Sequence, residues 1–225
     1  MTAFVHIMRF NFAIDKEPYI QTFEYEFEKY MTVLDVLNQI AAKQDPSLFF
    51  YYCCRSGHCG LCGLMVNGKP YLSCKKMAEP DMRLEPLAGF SVKRDLLISR
   101  QNHEETIQKM HLFLEREVVP KEGIEAIDMN AYPQFLAVSR CVECLCCTAA
   151  CPVWRKNPYE FAGPAVFTLE AKLFYDSRDT QKRALMCLGA GMEKCTQCGL
   201  CSSVCPQSAN PATAITDMLA SINYR

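Results

Sequence analysis

The sequence predicts two domains of different class, an α+β domain over residues 1–100 and an all-α domain over residues 101–225. Segments rich in aromatic and β-branched residues lie in the first hundred positions, which indicates that the strands are found there. Beyond residue 100, apolar residues recur at helical spacing and prolines separate the helical stretches. The 225 residues are enough for two domains, each with a core of its own.

The first domain is predicted to run from two strands through a helix into a hairpin and further strands. Thr32 suits a helix N-cap, and the apolar residues at positions 33, 36, 37 and 40 lie on one face of the helix that follows. Asn67-Gly68 predicts the two-residue turn of a hairpin over residues 64–72. The other predicted strands cover residues 4–10, 19–27, 82–87 and 95–98.

The second domain is predicted to consist of helices and connecting loops. Apolar residues at helical spacing predict a helix over Glu104–Glu117, and residues 120–133 form a connection without clear periodicity. From Ala137 onward, helical stretches alternate with cysteine-rich runs. No strand is predicted in this half of the chain.

Fifteen cysteines are the strongest feature of the composition. A secreted disulfide scaffold can be equally rich in cysteine, but such domains are usually shorter than about 80 residues. The odd count, the spacing and the absence of a secretory signal pattern favour bound metal in a reducing compartment, the cytosol or a cytosolic membrane face. A net charge of −1 gives no basic surplus for binding nucleic acid. The sequence contains no run of 18 apolar residues, so no membrane span is predicted.

The first cysteine group has the spacing C-x4-C-x2-C with a fourth cysteine further on, and its members are Cys54, Cys59, Cys62 and Cys74. This is the spacing of plant-type [2Fe–2S] ferredoxins, whose β-grasp fold suits the strand-rich domain. Gly57, Gly60 and Gly63 would let the backbone approach the cluster, so that N–H groups point at its sulfides. A structural zinc site also uses four cysteines, but four intervening residues are unusual for zinc.

Two further groups form an internal repeat with an offset of 54 residues, each reading C-x2-C-x2-C-x3-C-P. This run is typical of bacterial ferredoxins that hold two clusters, where the fourth cysteine of each run binds the other cluster. One predicted site therefore contains Cys141, Cys144, Cys147 and Cys205. The other contains Cys151, Cys195, Cys198 and Cys201. Paired zinc ribbons would leave the proline after each run unexplained.

Three cysteines remain outside these groups: Cys53, Cys146 and Cys187. We interpret them as small buried residues near the clusters rather than as ligands. Three one-electron centres in one chain favour a wire, with electrons entering at one end of the subunit and leaving at the other.

Several segments resemble the iron–sulfur subunits of succinate dehydrogenase and fumarate reductase. They are the loop Cys54–Gly68, Arg94-Asp95-Leu96, Asn157–Ala165, Asp176–Asp179 and Cys205–Ile215. The resemblance covers nearly the whole chain. It implies an α+β β-grasp [2Fe–2S] ferredoxin domain, followed by an all-α domain like bacterial ferredoxins with two cubane-type clusters.

The resemblance also implies two partners and a location. A flavoprotein with FAD interconverts succinate and fumarate beside the [2Fe–2S] domain, and a membrane anchor of cytochrome b type, often with haem b, exchanges electrons with quinone. The chain would then lie at the cytoplasmic face of the inner membrane, held there by its partners. Its own sequence has no G-x-G-x-x-G fingerprint and no constellation for dicarboxylate chemistry, so the substrate site is expected on the partner.

Carried over from the family, the ligands of a [4Fe–4S] cluster are Cys141, Cys144, Cys147 and Cys205, and those of a [3Fe–4S] cluster are Cys151, Cys195 and Cys201. Cys198 is a departure, because an apolar or small residue usually takes its place. We expect three irons if the fold holds Cys198 away, whereas spacing alone favours a second [4Fe–4S] cluster. Trp154 is the one tryptophan and precedes the position of the quinone-binding tryptophan, so a packing role is favoured over quinone binding.

Three alternatives differ in their expected features. The same module could serve another flavoprotein, such as a thiol-dependent fumarate reductase. A chain of that kind would be expected to carry an added cysteine-rich domain, whereas this chain stops at Arg225. A stand-alone multi-cluster ferredoxin should be strongly acidic for docking, which a net charge of −1 does not support. An iron–sulfur sensor of nucleic acid would need a basic patch.

Overall fold

The structure is a computed structural model that describes residues 2–116 and 128–223. It divides into two compact units, the first formed by residues up to 100 together with 142–150, and the second by residues 101–141 and 151 onward. The sequence predicts residues 142–150 in the helical domain, whereas in the structure they pack with the first unit. Close backbone contacts with two loop glycines, described below, account for it.

The first unit is built on a mixed five-stranded sheet with the strand order β2-β1-β5-β3-β4. Its strands are β1 (Thr2–Arg9), β2 (Tyr19–Glu26), β3 (Gly63–Val66), β4 (Lys69–Leu72) and β5 (Asp81–Glu85). β1 is parallel to β5, and the other neighbouring strands are antiparallel. The predicted hairpin is present, with Asn67 and Gly68 at φ angles of 49° and 77° in its turn.

One helix, α1 (Val33–Lys43), covers a face of this sheet. Its N-cap is Thr32, as predicted, and Asp35 completes a capping box in which the Asp35 N–H donates to Thr32 Oγ1 at 3.2 Å. The apolar face of α1 packs against buried strand residues such as Ile7 and Leu84. Sheet and helix therefore share one core, as the α+β prediction requires.

The predicted strand over residues 95–98 is only partly correct. The structure forms a small hairpin of β6 (Val92–Arg94) and β7 (Leu97–Ile98), and Asp95 lies in the bend between them with a φ of 46°. Its carboxylate is buried, contacts Arg9 Nε at 3.0 Å and accepts the N–H of Phe49 at 2.9 Å. Aspartate tolerates a left-handed backbone, and these partners hold it there.

The helices after β7 agree with the predicted class. They are α2 (Gln101–Lys109), α3 (Tyr132–Ser139), α4 (Cys146–Ala150), α5 (Pro152–Lys156), α6 (Pro164–Phe174), α7 (Arg183–Gly189), α8 (Leu200–Ser203) and α9 (Pro211–Asn223). Three of them begin at a proline, a residue that suits the first helical turn because its missing N–H has no partner there anyway.

The helix predicted over Glu104–Glu117 begins three residues earlier and ends at Lys109. Its last predicted residue and positions 120–127 of the predicted connection lie outside the described residues. The rest of that connection runs into α3, which already begins at Tyr132.

A buried arginine organises the second unit around α6 and α7. Arg183 is 1% exposed, and its Nη2 lies 2.8 Å from Asp179 Oδ2. The same guanidinium donates to the carbonyl oxygens of His111 at 3.0 Å and Phe113 at 2.8 Å. It faces the fully buried Glu170 at 3.5 Å, so this unit contains a charged cluster within its helical core.

Candidate metal centres

The first cysteine loop directs backbone N–H groups at one thiol. Cys54 Sγ accepts the N–H groups of Ser56, His58 and Cys59 at 3.5, 3.2 and 3.3 Å. The hydrogen bonds from Ser56 and Cys59, led by the backbone N–H of Ser56, lower the pKa of the Cys54 thiol to about 5. The loop therefore stabilises a thiolate, the form in which cysteine binds iron.

The other three cysteines of this group lie next to Cys54. Cys59 is hydrogen-bonded to Cys54, and Cys62 Sγ lies 3.3 Å from Cys74 Sγ at the end of the hairpin. Burial, followed by the contact with Cys62, raises the pKa of Cys74 to about 12. The fold thus brings together the four cysteines that the C-x4-C-x2-C spacing predicts as one site.

The glycines of this loop have a second role that the spacing does not predict. Gly60 has a φ of 70°, and a Cβ placed on it would lie 1.9 Å from the carbonyl oxygen of Val142. A Cβ on Gly63 would lie 2.8 Å from the carbonyl oxygen of Cys144. These glycines therefore admit the backbone of the second cysteine run, which packs beside the first loop.

Two cysteines predicted for the second site, Cys144 and Cys147, belong to the first unit and are buried. A hydrogen bond from the Cys146 thiol, together with its backbone N–H and the charge of Arg100, lowers the pKa of Cys144 to about 7. Arg100 also donates from Nη2 to the carbonyl oxygen of Glu143 at 2.7 Å. This segment is therefore prepared to hold Cys144 as a thiolate.

The remaining two cysteines of that predicted site, Cys141 and Cys205, belong to the second unit. Cys205 Sγ accepts the N–H of Ala209 at 3.3 Å. Both side chains are partly exposed, and neither cysteine forms a disulfide. The four cysteines of this predicted site therefore come from both units, two from each.

The two repeated runs adopt the same local backbone. Glu143 and Gln197 occupy equivalent positions and have φ angles of 52° each. A second equivalent pair, Leu145 and Gly199, has φ angles of 65° and 75°. Left-handed backbone is uncommon for residues other than glycine, and it aims successive N–H groups in one direction. The sequence repeat is therefore also a structural repeat of two loops suited to anionic sulfur.

The third predicted site forms a pocket of about 390 Å³ within the second unit. Its walls include Cys151, Cys195, Cys198 and Cys201 together with the apolar residues Val153, Phe161, Pro164 and Ile215. The crosswise combination of Cys151 with the second run is thus present in the structure. Cys195 Sγ accepts the N–H of Gln197 at 3.4 Å.

Cys198 is not held away from the other three cysteines of this pocket. Its side chain is exposed, yet it lies close enough to Cys151 and Cys201 to affect both thiols electrostatically. Burial raises the pKa of Cys201 to about 11, with smaller effects from neighbouring thiols including Cys198. Four thiols therefore face one apolar pocket.

The three cysteines outside the predicted groups differ in their surroundings. Cys146 and Cys187 are 0% exposed, as expected, and Cys187 Sγ lies 3.9 Å from Met218 Sδ. Cys53 is exposed, which corrects the prediction that it is buried. The neighbouring Cys54 turns its thiol into the loop, so the side chain before it points outward.

Trp154 is 4% exposed, and its backbone N–H donates to Cys151 Sγ. Burial of the indole agrees with packing rather than with binding of quinone at a surface. His58, Arg155 and Lys156 are exposed.

The donor set fits iron–sulfur clusters. All fifteen cysteines lie in the described residues, and none of them is part of a disulfide. N–H groups donate to predicted ligand sulfurs in all three groups, as the surroundings of a cluster require. In the ranges 2–116 and 128–223, no three cysteine, histidine or acidic side chains are arranged as ligands of a single metal ion.

Sequence reasoning missed two groups next to Cys144. Cys146 stands outside the ligand spacing, and nothing in the sequence indicates its hydrogen bond to Cys144. Arg100 lies 44 positions before Cys144, so only the folded chain reveals its approach.

Family models and known proteins match most of the chain. A model of a 2Fe-2S iron–sulfur cluster binding domain matches residues 4–106, and a model of a 4Fe-4S dicluster domain matches residues 137–209. These matches confirm the predicted order of a ferredoxin-type domain and a dicluster domain. Within the described part of the chain, no helix has the length and apolar character needed to cross a membrane.

Two curated relatives cover nearly all of this chain. The fumarate reductase iron–sulfur subunit of Haemophilus influenzae is 36% identical over 94% of this chain and 89% of its own length. A subunit of the CoM/CoB fumarate reductase of Methanothermobacter marburgensis is 32% identical over 96% of this chain, which spans 43% of that longer protein. A chain of the Mycobacterium smegmatis Sdh1 complex shares the fold, with a TM-score of 0.87 and 24% identity over 100% of this chain and 98% of that one.

Proposed function

Because the chain belongs to the family of fumarate reductase and succinate dehydrogenase iron–sulfur subunits, we propose that it conducts electrons between two partner chains. One is a flavoprotein that interconverts succinate and fumarate at FAD. The other is a membrane anchor of cytochrome b type that reacts with quinone and carries haem b. The observation that supports this most directly is the presence of three cysteine groups in one chain, at residues 54–74, 141–151 and 195–205.

The proposed clusters have the following ligands. The [2Fe–2S] cluster is held by Cys54, Cys59, Cys62 and Cys74, and the first [4Fe–4S] cluster by Cys141, Cys144, Cys147 and Cys205. Cys151, Cys195 and Cys201 hold the third cluster, with Cys198 as a fourth ligand for the reason given below. Each cluster, when bound, accepts and releases one electron at a time.

The chain's own residues prepare the thiolates and restrict water. Backbone N–H groups around Cys54, Cys195 and Cys205 offset the negative charge of sulfur. Apolar residues around the third pocket, such as Phe161 and Ile215, lower the local polarity. Hydrogen bonds and burial of this kind set the reduction potential of a cluster, so these residues tune each step of the wire.

For the third cluster we propose four irons rather than the expected three. The expectation of three depended on Cys198 being held away from the site. Cys198 instead faces the same pocket as the three other thiols. A fourth thiolate can bind the iron that a [3Fe–4S] cluster lacks, which supports a second [4Fe–4S] cluster.

The proposed location follows from the proposed partners. The chain attaches peripherally to the cytoplasmic face of the inner membrane through the anchor subunit. Trp154 is proposed to pack beside the third cluster and not to contact quinone, because its side chain is buried.

A second candidate function is the same wire with thiols as the electron source. The 32% identity to the CoM/CoB fumarate reductase subunit favours it. The two candidates differ in electron donor, since a quinol serves the first and a pair of thiols serves the second.

Purification of the complex tests these proposals. The tagged chain is purified from native membranes in mild detergent, and succinate–quinone, quinol–fumarate and thiol–fumarate activities are measured. We expect a flavoprotein and a membrane subunit to co-purify with the quinone-linked activities. Thiol–fumarate activity without quinone-linked activity would favour the second candidate, and a chain that purifies alone without flavin would contradict both.

A further inference from the structure

Arg100 immediately precedes α2, belongs to the first unit and reaches the second cysteine run with its side chain. Its Nη2 donates to the carbonyl oxygen of Glu143 at 2.7 Å, although 43 positions separate the two residues. Glu143 directly precedes Cys144, a proposed ligand of the first [4Fe–4S] cluster. Standard bond lengths then place this guanidinium nitrogen within about 7 Å of the Cα atom of Cys144.

The segment that Arg100 contacts has a defined backbone. Glu143 has a φ of 52°, in the left-handed region that residues other than glycine seldom adopt. The carbonyl oxygen of Cys144, one peptide further on, packs against Gly63, where an added Cβ would lie 2.8 Å from it. The hydrogen bond from Arg100 therefore acts on a closely packed segment and keeps the guanidinium group beside Cys144.

Arg100 also lines a cavity of about 430 Å³ within the first unit. The wall includes Cys144 and Cys62, a proposed ligand of the [2Fe–2S] cluster, and it consists largely of apolar residues such as Leu61 and Leu97. Among the described residues of this wall, Arg100 is the one side chain that carries a permanent charge. Apolar side chains screen a charge less than water does, and the charge of Arg100 acts electrostatically on the Cys144 thiol.

We propose that Arg100 is a positioning residue that holds the Cys144 segment through the Glu143 carbonyl and, by its permanent positive charge, raises the reduction potential of the first [4Fe–4S] cluster. The inference rests on the proposed assignment of Cys144 to that cluster. A reduced cluster carries one more negative charge than an oxidised one, so a nearby cation stabilises the reduced state more strongly. Because a guanidinium group stays protonated in proteins, this contribution does not depend on pH.

Redox titration of the intact complex, followed by low-temperature EPR, tests the proposal with two variants. Arg100→Gln keeps an amide N–H that can donate to the carbonyl oxygen but removes the charge, whereas Arg100→Lys keeps the charge. We expect the glutamine variant to show up to about a tenfold lower ratio of reduced to oxidised cluster at a fixed potential, which corresponds to a shift of up to about 59 mV downward. The lysine variant should stay within about twofold of the wild-type ratio, because lysine is also a cation.

The matched control is Arg83→Gln, which removes a positive charge from the same unit. Arg83 lies on β5, and its Nη2 contacts Glu85 Oε1 at 2.8 Å rather than the backbone of a cysteine run. The control should leave the potential of the first [4Fe–4S] cluster unchanged. Equal shifts in the two Arg100 variants, or a shift in neither, would overturn the role of the charge.

Arg100→Met is a second neutral variant and lacks the side-chain donor as well. It should lower the potential at least as much as Arg100→Gln, and an unchanged potential would overturn the proposal even if the glutamine variant does not assemble. Loss of the cluster signal in both neutral variants would also overturn it, because the charge would then serve the assembly of the site and not its potential.

The proposed function has a separate readout in the same experiment. Cys144→Ala should abolish the EPR signal of the first [4Fe–4S] cluster if Cys144 is a ligand. A Cys144→Ala complex that keeps this signal would contradict the ligand assignment itself, whatever the Arg100 variants show.

Discussion

Gly60 and Val142 are in backbone contact, so close that a Cβ on residue 60 would lie 1.9 Å from the Val142 carbonyl oxygen. The contact joins the loop of the first cysteine group to the start of the second run. It explains why residues 142–150 pack with the sheet rather than with the other helices. A glycine in a cluster loop can therefore be required by a neighbouring segment of the chain as well as by the cluster.

Gly60→Ala is expected to destabilise the chain by roughly 2–5 kcal/mol, because the new methyl group meets a backbone atom and the φ of 70° disfavours alanine. Gly68→Ala is the matched control. Its φ is 77°, but nothing lies within 4 Å of the added Cβ, so only the backbone cost of roughly 1–2 kcal/mol is expected. Denaturant unfolding measures both values, and equal losses would contradict the importance of the contact with Val142.

Cys198→Ala is expected to convert the third cluster from four irons to three. The wild-type complex should lack the EPR signal of an oxidised [3Fe–4S] cluster, and the variant should gain it. Cys53→Ala is the control, because Cys53 is exposed and lies outside every proposed ligand set. A [3Fe–4S] signal in the wild-type complex as isolated would contradict the role of Cys198 as fourth ligand.

Arg183→Met is expected to destabilise the chain by about 3–5 kcal/mol, because Asp179 and Glu170 lose their buried positive partner. The two carbonyl oxygens that Arg183 contacts also lose their donors. Thermal or denaturant unfolding of the chain measures the loss.

The control for this prediction is Lys182→Met, at the exposed neighbouring residue. A surface substitution there should change stability by less than about 0.5 kcal/mol. A loss of similar size in both variants would mean that the buried network around Arg183 contributes little.

Local patterns predict the parts of the fold that depend on neighbours in sequence. Thr32 and Asp35 are three residues apart and form the predicted cap, and Asn67-Gly68 forms the predicted turn. Asp95 behaves differently, because its buried partner Arg9 is 86 positions away. No pattern within residues 95–98 shows that contact, so the sequence predicts one strand where the chain bends.

The ligand groups could be predicted because spacing within a short loop reflects the size of a cluster. The position of Cys198 in the pocket could not, since it depends on how α5, α6 and α9 close around the second run. The same holds for Cys146, whose neighbours Cys62 and Cys74 come from the distant first cysteine loop and from the turn after β4. Spacing identifies ligands, whereas tertiary packing decides which other thiols reach them.

Glu170→Gln is expected to remove a pH dependence from the stability of the chain. Burial of Glu170, partly offset by Arg183 at 3.5 Å, raises the pKa of its carboxyl group from 4.5 to about 7. Between these two pH values the folded chain binds more protons than the unfolded chain, so the free energy of unfolding falls as pH rises. Above about pH 7 the carboxyl is ionised in both states and the loss is complete.

The stability of Glu170→Gln relative to wild type should therefore rise by up to about 3 kcal/mol from pH 4.5 to pH 7.5, because a tenfold change in an acid dissociation constant corresponds to about 1.4 kcal/mol. Asp179 and Cys187 also face this cluster and are unchanged in the comparison. Denaturant unfolding of both chains at matched pH values gives the difference. Glu193→Gln, at an exposed glutamate, should stay parallel to wild type. A constant difference between Glu170→Gln and wild type across this range would show that Glu170 keeps its charge in the fold, held by Arg183 more strongly than burial opposes it.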